Sequence, residues 1–249
     1  MGLPRPDLQE LVEKDEHHYC EGVETHVCVK VVAVADFPTR FGKFNIVAFY
    51  NNHDEKEHVA MVRGNFYGRV GVPVRIHSEC LTGDALGSLR CDCRDQLMTA
   101  LTMIGRMRTG IVIYLRQEGR GIGLVNKLKA YQLQDHGCDT FEANRALGFA
   151  DDERDFSIAA HILRTLKVRS VRLITNNPKK IEGLERAGIE VAGRIPLAIP
   201  PNVHNRRYLR TKMDKSGHML QEVLATKGMK RRKGRRVKGK GRTGKRGER

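Results

Sequence analysis

The chain has 249 residues, 40% of them hydrophobic and 30% charged, which suits one good core and one or two domains. It has no run of roughly 18 apolar residues, which excludes a membrane-spanning helix, and no apolar signal-peptide core, so a cytoplasmic location is expected. The formal charge of +16 is uneven: residues 227–249 hold 13 Lys or Arg against one Glu, residues 1–25 hold two basic against seven acidic side chains, and the body between is only mildly basic.

In the acidic leader, residues 1–25, Asp7 and Glu10 have the spacing of a capping box and predict a short helix. The adjacent His17 and His18 read more simply as a solvated pair than as a metal site. From His26 to Arg63 the period is that of strands: Val27, Val29 and Val31 alternate, then Phe44, Ile46 and Ala48, then Val59 and Met61. The turn-like FPTRFG and NNHDEKE separate them, which predicts an antiparallel meander. A strand over about Val72 to Ile76 leads into a cysteine-bearing stretch. Leu97, Leu101, Ile104 and Met107 then recur at helical spacing, giving a helix from about Asp92 to Arg108.

Beyond that helix the pattern is α/β. IVIYL at 111–115 and VRLIT at 171–175 are buried-type strands, and IEVAGRI is a last one. Helices are predicted after RQEGRGIGL, with Leu124, Leu128 and Tyr131 on one face and Gly137 ending it, then over Asp155–Lys167 and Pro178–Ala187. Residues 206–225 look helical, with Leu209, Met213, Leu220 and Leu224 on the apolar side. The predicted class is α/β: a mixed sheet flanked by helices, with an N-terminal antiparallel β meander. The domains are the leader, a catalytic body over 26–226, and a tail over 227–249. With six glycines and no aromatic residue, the tail cannot bury enough to order itself. Its charge suits nucleic acid or an anionic surface, and a solvated extension with incidental contacts is an equal alternative.

Six cysteines in a chain of this size do not suggest a disulfide scaffold, and Cys20, Cys28 and Cys138 read as reduced thiols. Cys80, Cys91 and Cys93 are different, because three close thiols can hold one borderline cation, most often zinc. Three protein ligands with the fourth position open is the catalytic pattern, and His77 is the only nearby side chain that would close it. Cys91 and Cys93 lie where a helix begins, which favours the thiolate. Three reduced core cysteines that bind nothing are the alternative.

Three further segments follow a strand or open a helix, the usual place for ligands in open α/β sheets. Arg116 to Gly123 places three glycines beside two arginines, enough for close backbone approach to phosphate, though a tight turn needs no more. In TNNPKK, Asn177 caps a helix with Pro178 at its first position, and Lys180 adds charge to an anion-favouring end. Asp151 to Asp155 sets acids beside Arg154, and Thr140 and Glu142 lie near similar polar groups. Each has a bland reading as a capped helix start or a solvated charge pair. Together with a three-thiolate metal they point to a phosphate-bearing substrate and a metal-activated water.

HSECLTGDALGSLRCDC, RQEGRGIGL, ANRALGFADDERDF and LITNNPKK, in this order, resemble GTP cyclohydrolase II of riboflavin biosynthesis over about residues 26–225. The resemblance implies zinc on Cys80, Cys91 and Cys93, with activated water attacking carbon 8 of guanine and releasing formate. It also implies magnesium-assisted loss of pyrophosphate, leaving 2,5-diamino-6-ribosylamino-4-pyrimidinone 5'-phosphate. By matching motifs, GTP contacts fall to Arg75, Ile76, His77, Ser78, Glu79, Gln96, Glu118, Gly119, Arg120, Thr140, Thr175 and Lys180. Asp152 matches a proton acceptor, Arg154 a nucleophile on the α-phosphate, and Tyr131 a tyrosine near the reacting base. An arginine is effectively always protonated, so a phosphate clamp is an equally good role for Arg154. A homodimer is expected from the family alone. Its synthase domain is too large for the leader, so only the cyclohydrolase step is expected.

Two rivals stand beside this reading. One is a homologue that stops at the formylated intermediate. The other is a zinc-stabilised nucleic-acid binder using the tail, which the absence of Trp and of a recognisable aromatic RNA motif argues against.

Overall fold

The computed structural model describes residues 8, 10–12, 27–54, 56–197, 199–221 and 224. Leu8 and Glu10–Val12 are helical, with Leu11 buried against the sheet. Asp7 of the expected capping box, the His17–His18 pair and the basic tail lie outside the described residues.

Seven strands form one mixed sheet: β1 (Val29–Thr39), β2 (Gly42–Asn51), β3 (His58–Arg63), β4 (Val72–Ser78), β5 (Gly110–Leu115), β6 (Ser170–Ile174) and β7 (Glu190–Ile195). Their order is β1-β2-β3-β5-β4-β6-β7. β1, β2, β3 and β5 pair antiparallel, and β5, β4, β6 and β7 pair parallel. The predicted class and meander are therefore present, but the meander differs in detail. β1 runs through Phe37, Pro38 and Thr39, and only Arg40 and Phe41 separate Thr39 from its partner Gly42. Pro38 is tolerated because β1 is the edge strand, where a missing N–H interrupts no ladder.

In β2 and β3 the expected alternation names only one of two apolar faces. Val47 and Phe49 of β2 and Ala60 and Val62 of β3 join the larger core cluster, whereas Phe44 and Met61 face a smaller one on the other side. A strand covered on both faces loses its period-two signal.

The helices are α1 (Leu81–Asp84), α2 (Cys93–Arg106), α3 (Gly123–Asp135), α4 (Thr140–Ala146), α5 (Ser157–Thr165), α6 (Pro178–Arg186) and α7 (Arg206–Ser216). Ile158, Ile162 and Leu163 of α5 close the larger core, and Leu101 and Ile104 of α2 close the smaller. Each such buried aliphatic side chain contributes about 1.5–3 kcal/mol. α4 is not anticipated by the sequence reading, although Asp139 and Glu142 form a complete capping box at its start. On α3 the buried residues are Lys127 and Ala130, and Leu128 is 47% exposed rather than on the buried face. α7 stops at Ser216 instead of continuing to 225, because Gly217 takes a left-handed conformation at φ 62°.

Cys28 is disulfide-bonded, which corrects its reading as a reduced thiol. Scatter along the chain says nothing about proximity in space. Cys20 lies outside the described residues. Cys138 is free as expected. Among the described residues no helix is long and apolar enough to cross a membrane.

Candidate active site

The chain leaves three adjacent strands, β5, β4 and β6, at the same edge of the parallel half of the sheet. Each exit opens a segment that the sequence singles out, and all three segments line one pocket. From β4 the chain turns at Cys80 into the single turn α1. Cys91 and Cys93 return beside it at the start of α2. The three sulfurs lie within 4.8 Å of one another, with Cys80 and Cys91 3.7 Å apart. Sulfurs about 2.3 Å from a tetrahedral ion sit roughly 3.8 Å apart, so the spacing fits zinc.

His77 does not close that set. Its Nε2 lies 3.0 Å from Asp84 Oδ2, and its ring stacks on Tyr114 at 5.5 Å. Asp84 Oδ2 also accepts from the Cys80 N–H at 3.0 Å and from the Tyr114 hydroxyl at 2.9 Å. One carboxylate thus fixes the loop that presents Cys80. Burial, then the Asp84 contact acting the other way, leaves the His77 pKa lowered.

Gly83 lies beneath the sulfurs. A Cβ there would stand 2.7 Å from Cys91 Sγ and 3.1 Å from Cys80 Sγ. Gly83→Ala is therefore expected to weaken metal binding by about ten- to a hundredfold, measured by chelator competition, with the circular dichroism spectrum unchanged. Wild-type metal affinity in the folded variant would show that the loop can yield to the methyl group.

Lys127 joins the cysteine loop to the segment after β5. Its Nζ donates to Cys80 Sγ at 3.1 Å, Thr82 Oγ1 at 2.8 Å and Glu118 Oε1 at 2.7 Å. Burial alone would lower its pKa, but Glu118 and the Cys80 sulfur raise it, so the side chain stays charged. Glu118, read as a substrate contact, spends its carboxylate on this contact, on the Gly119 N–H at 2.8 Å and on the Leu81 N–H at 2.6 Å. It acts as a strut between the two loops.

After Glu118 the backbone turns left-handed at Gly119 and, unusually for a residue with a side chain, at Arg120 (φ 63°). Arg120 is held there by its carbonyl, which accepts from Glu153 N–H at 3.0 Å, and by its guanidinium over the Phe141 ring at 4.9 Å. At Gly121 a Cβ would meet the Glu153 backbone at 2.8 Å, so the glycine is what lets the two segments touch.

The pocket is also lined by cations. Arg75 donates to the Ile174 carbonyl at 3.0 Å and to Gln96 Oε1 at 2.6 Å, and burial lowers its pKa to about 10. Lys180 donates to the Ile76 carbonyl at 2.7 Å, and burial, with Arg75 and Arg154 nearby, pushes its pKa well down. Arg154 grips Asp152 with both arms, Nε to Oδ1 at 2.7 Å and Nη2 to Oδ2 at 2.6 Å. Arg75 Nε, His77 Nδ1, Ser78 Oγ and Asn177 Nδ2 are buried pocket-residue atoms that find no partner among the described residues. Such orphaned groups collect where a ligand supplies the partner.

Every residue in the expected set except Ile76 lines this one pocket. The Ile76 side chain is fully buried in the core, so only its carbonyl, already holding Lys180, faces the site. Tyr131 on α3 lies beside the cysteine loop, its hydroxyl bonded to Thr82, and burial raises its pKa to about 12. Thr175 caps the next turn, accepting from the Asn177 N–H at 3.0 Å. The sequence reading missed Lys127 and the residues of α7. Lys127 carried a signal: a lysine four residues before Tyr131, which was itself assigned to the site, lies on the same helix face.

The family described as GTP cyclohydrolase II matches residues 30–196. A GTP cyclohydrolase-2 of Tolumonas auensis is 53% identical over 194 residues, covering 78% of this chain and 98% of that protein. One from Histophilus somni is 54% identical over 192 residues, covering 77% and 89%. A riboflavin biosynthesis protein RibBA of Synechocystis sp. is 56% identical over 189 residues, 75% of this chain but 34% of that protein. The chain spans about half the length, or less, of the RibBA relatives it matches. The match takes in more than half of the chain, including all three cysteines and every other residue expected at the site, and the chain therefore belongs to the GTP cyclohydrolase II family.

Proposed function

We propose that this chain opens the imidazole ring of GTP, releasing formate and pyrophosphate and leaving the diaminopyrimidinone 5'-phosphate from which riboflavin is built. The observation that carries this is a single pocket lined by three thiols together with Arg75, Arg154 and Lys180. Such a lining offers both a metal site for chemistry on a base and cations for phosphates.

Cys80, Cys91 and Cys93 would hold zinc, which when bound supplies a Lewis acid and a water of lowered pKa for attack on carbon 8. The protein's own groups do the rest. Asp84 keeps Cys80 in place, and Lys127 offsets part of the negative charge that three thiolates bring together. Tyr131, protonated at neutral pH, would donate to the reacting base. Arg154, oriented by Asp152, would grip the α-phosphate and stabilise charge as pyrophosphate leaves. Magnesium on the phosphates, a homodimer and a cytoplasmic location belong to the same proposal and rest on the family.

The test is incubation of the zinc-loaded protein with GTP and magnesium, quantifying formate, pyrophosphate and pyrimidine product. Equimolar release of all three is expected. Pyrophosphate without formate would indicate an enzyme that stops at the formylated intermediate or earlier, and no GTP turnover would sink the proposal.

A further inference from the structure

The C-terminal segment lies beyond the family match, yet it forms part of the pocket wall through Tyr208, Lys212 and His218. It is tied down at three corners of the site. Asn205 Nδ2 lies 3.5 Å from the Cys91 carbonyl, and Lys212 Nζ lies 3.4 Å from Asp92 Oδ1, so α7 is joined to the cysteine loop. Arg207 donates to the Gly137 carbonyl at 3.0 Å, and Lys215 pairs with Asp139, which joins it to the turn before α4. Past Gly217, the Met219 N–H donates to the Asn176 carbonyl at 2.9 Å, which joins it to the loop after β6. Leu209 and Leu220 are buried and anchor the two ends.

The left-handed turn at Gly217 sends the chain back, so that His218 enters the pocket. Its Nδ1 is buried and finds no partner among the described residues. Burial first, then the charges of Lys212, Arg154, Arg120 and Lys180, hold the ring neutral, with a pKa lowered to about 3. Lys212 is largely shielded as well, its side chain 12% exposed. Its one carboxylate neighbour, Asp92, sits at a long 3.4 Å and is shared with Gln96 at 2.5 Å. The Tyr208 ring lies 4.2 Å from its ammonium, and the Tyr208 hydroxyl and Cys93 are its other close neighbours among the described residues. Four basic side chains thus surround an unpaired imidazole, with Asp152 already committed to Arg154. Like charges gathered in a water-poor pocket are costly unless a polyanion joins them, and a triphosphate carries enough oxygens to meet all of them.

We propose that Lys212 and His218 are polyphosphate ligands, so that the segment from Asn205 to Leu220 completes a phosphate cradle begun by Arg154 and Lys180. This rests on the GTP reading above. It adds substrate contacts from a part of the chain outside the matched family region.

The test is equilibrium binding of GTP, inorganic tripolyphosphate and guanosine to the full-length, zinc-loaded protein and to Lys212→Gln, Lys212→Arg and His218→Ala. Loss of one charge-assisted hydrogen bond is expected to weaken GTP and tripolyphosphate binding by about tenfold or more in Lys212→Gln and by several-fold in His218→Ala. Guanosine binding should be unchanged, and Lys212→Arg should keep most of the affinity, which also guards against a variant that simply misfolds. Wild-type affinity for tripolyphosphate in both Lys212→Gln and His218→Ala would overturn the inference while leaving the GTP reading intact. Equal losses for guanosine and tripolyphosphate would overturn it too, by showing a packing role. A wild-type protein that binds guanosine or tripolyphosphate but not GTP would instead remove the reading it rests on.

Discussion

Cys91→Ser is expected to lose zinc and formate release together, with formate production falling by about a thousandfold or more, because the water would regain a pKa near its ordinary value. The sulfur of Cys91 stands 3.7 Å from that of Cys80 and is buried, so a serine hydroxyl would replace a soft, ionisable donor with one that does not deprotonate at neutral pH. The fold should survive, because the loop is also held by Asp84, Glu118 and Asn205. Pyrophosphate release from GTP should persist at a reduced level, since Arg154 and Lys180 would act on the phosphates and not on the base. Metal analysis per subunit, with formate and pyrophosphate followed in the same reaction, checks both halves. Wild-type formate release from a metal-free variant would remove zinc from the chemistry.

Much of this site is legible in the sequence because its parts are local. The cysteine triplet, the glycine–arginine run and the capped TNNPKK turn each signal their character within a few residues. The strands behind them, IVIYL and VRLIT, are buried apart from Tyr114 and the exposed Arg172, and read as short, mainly apolar runs. What could not be read depends on neighbours distant in the chain. Leu128 sits in an apolar stripe that predicts burial, but α3 turns Lys127 inward because Glu118 and the Cys80 sulfur neutralise it. The Cys28 bridge and the two-sided burial of β2 are likewise facts of three dimensions. The roles of α7 depend on the fold as well: its basic residues look like a solvated face until Leu209 and Leu220 are seen to pin it over the pocket. α4 is the one avoidable omission, since Asp139 and Glu142 spell its start.

Arg154 decides how pyrophosphate leaves. A covalent route needs its guanidinium to give up a proton to Asp152 and attack the α-phosphorus. The geometry pushes both groups the wrong way. Burial alone would lower the Arg154 pKa, but the two-armed contact with Asp152 raises it overall. Burial alone would raise the Asp152 pKa, but the same contact lowers it. A pair tuned this way is a poor base beside a poor nucleophile, and a good fixed cation for an anionic oxygen. The clamp therefore predicts that Arg154→Lys, which keeps the charge and loses the fork, retains pyrophosphate release within roughly tenfold to a hundredfold of wild type. Arg154→Ala should lose about a hundred- to a thousandfold, the usual cost of removing one transition-state donor. Base-quenched reactions examined by mass spectrometry should contain no guanylylated protein at any time before steady state. A guanylyl adduct mapped to Arg154, formed and consumed at the rate of turnover, would replace the clamp with a covalent step and require Asp152 to take the proton despite its contact with the arginine.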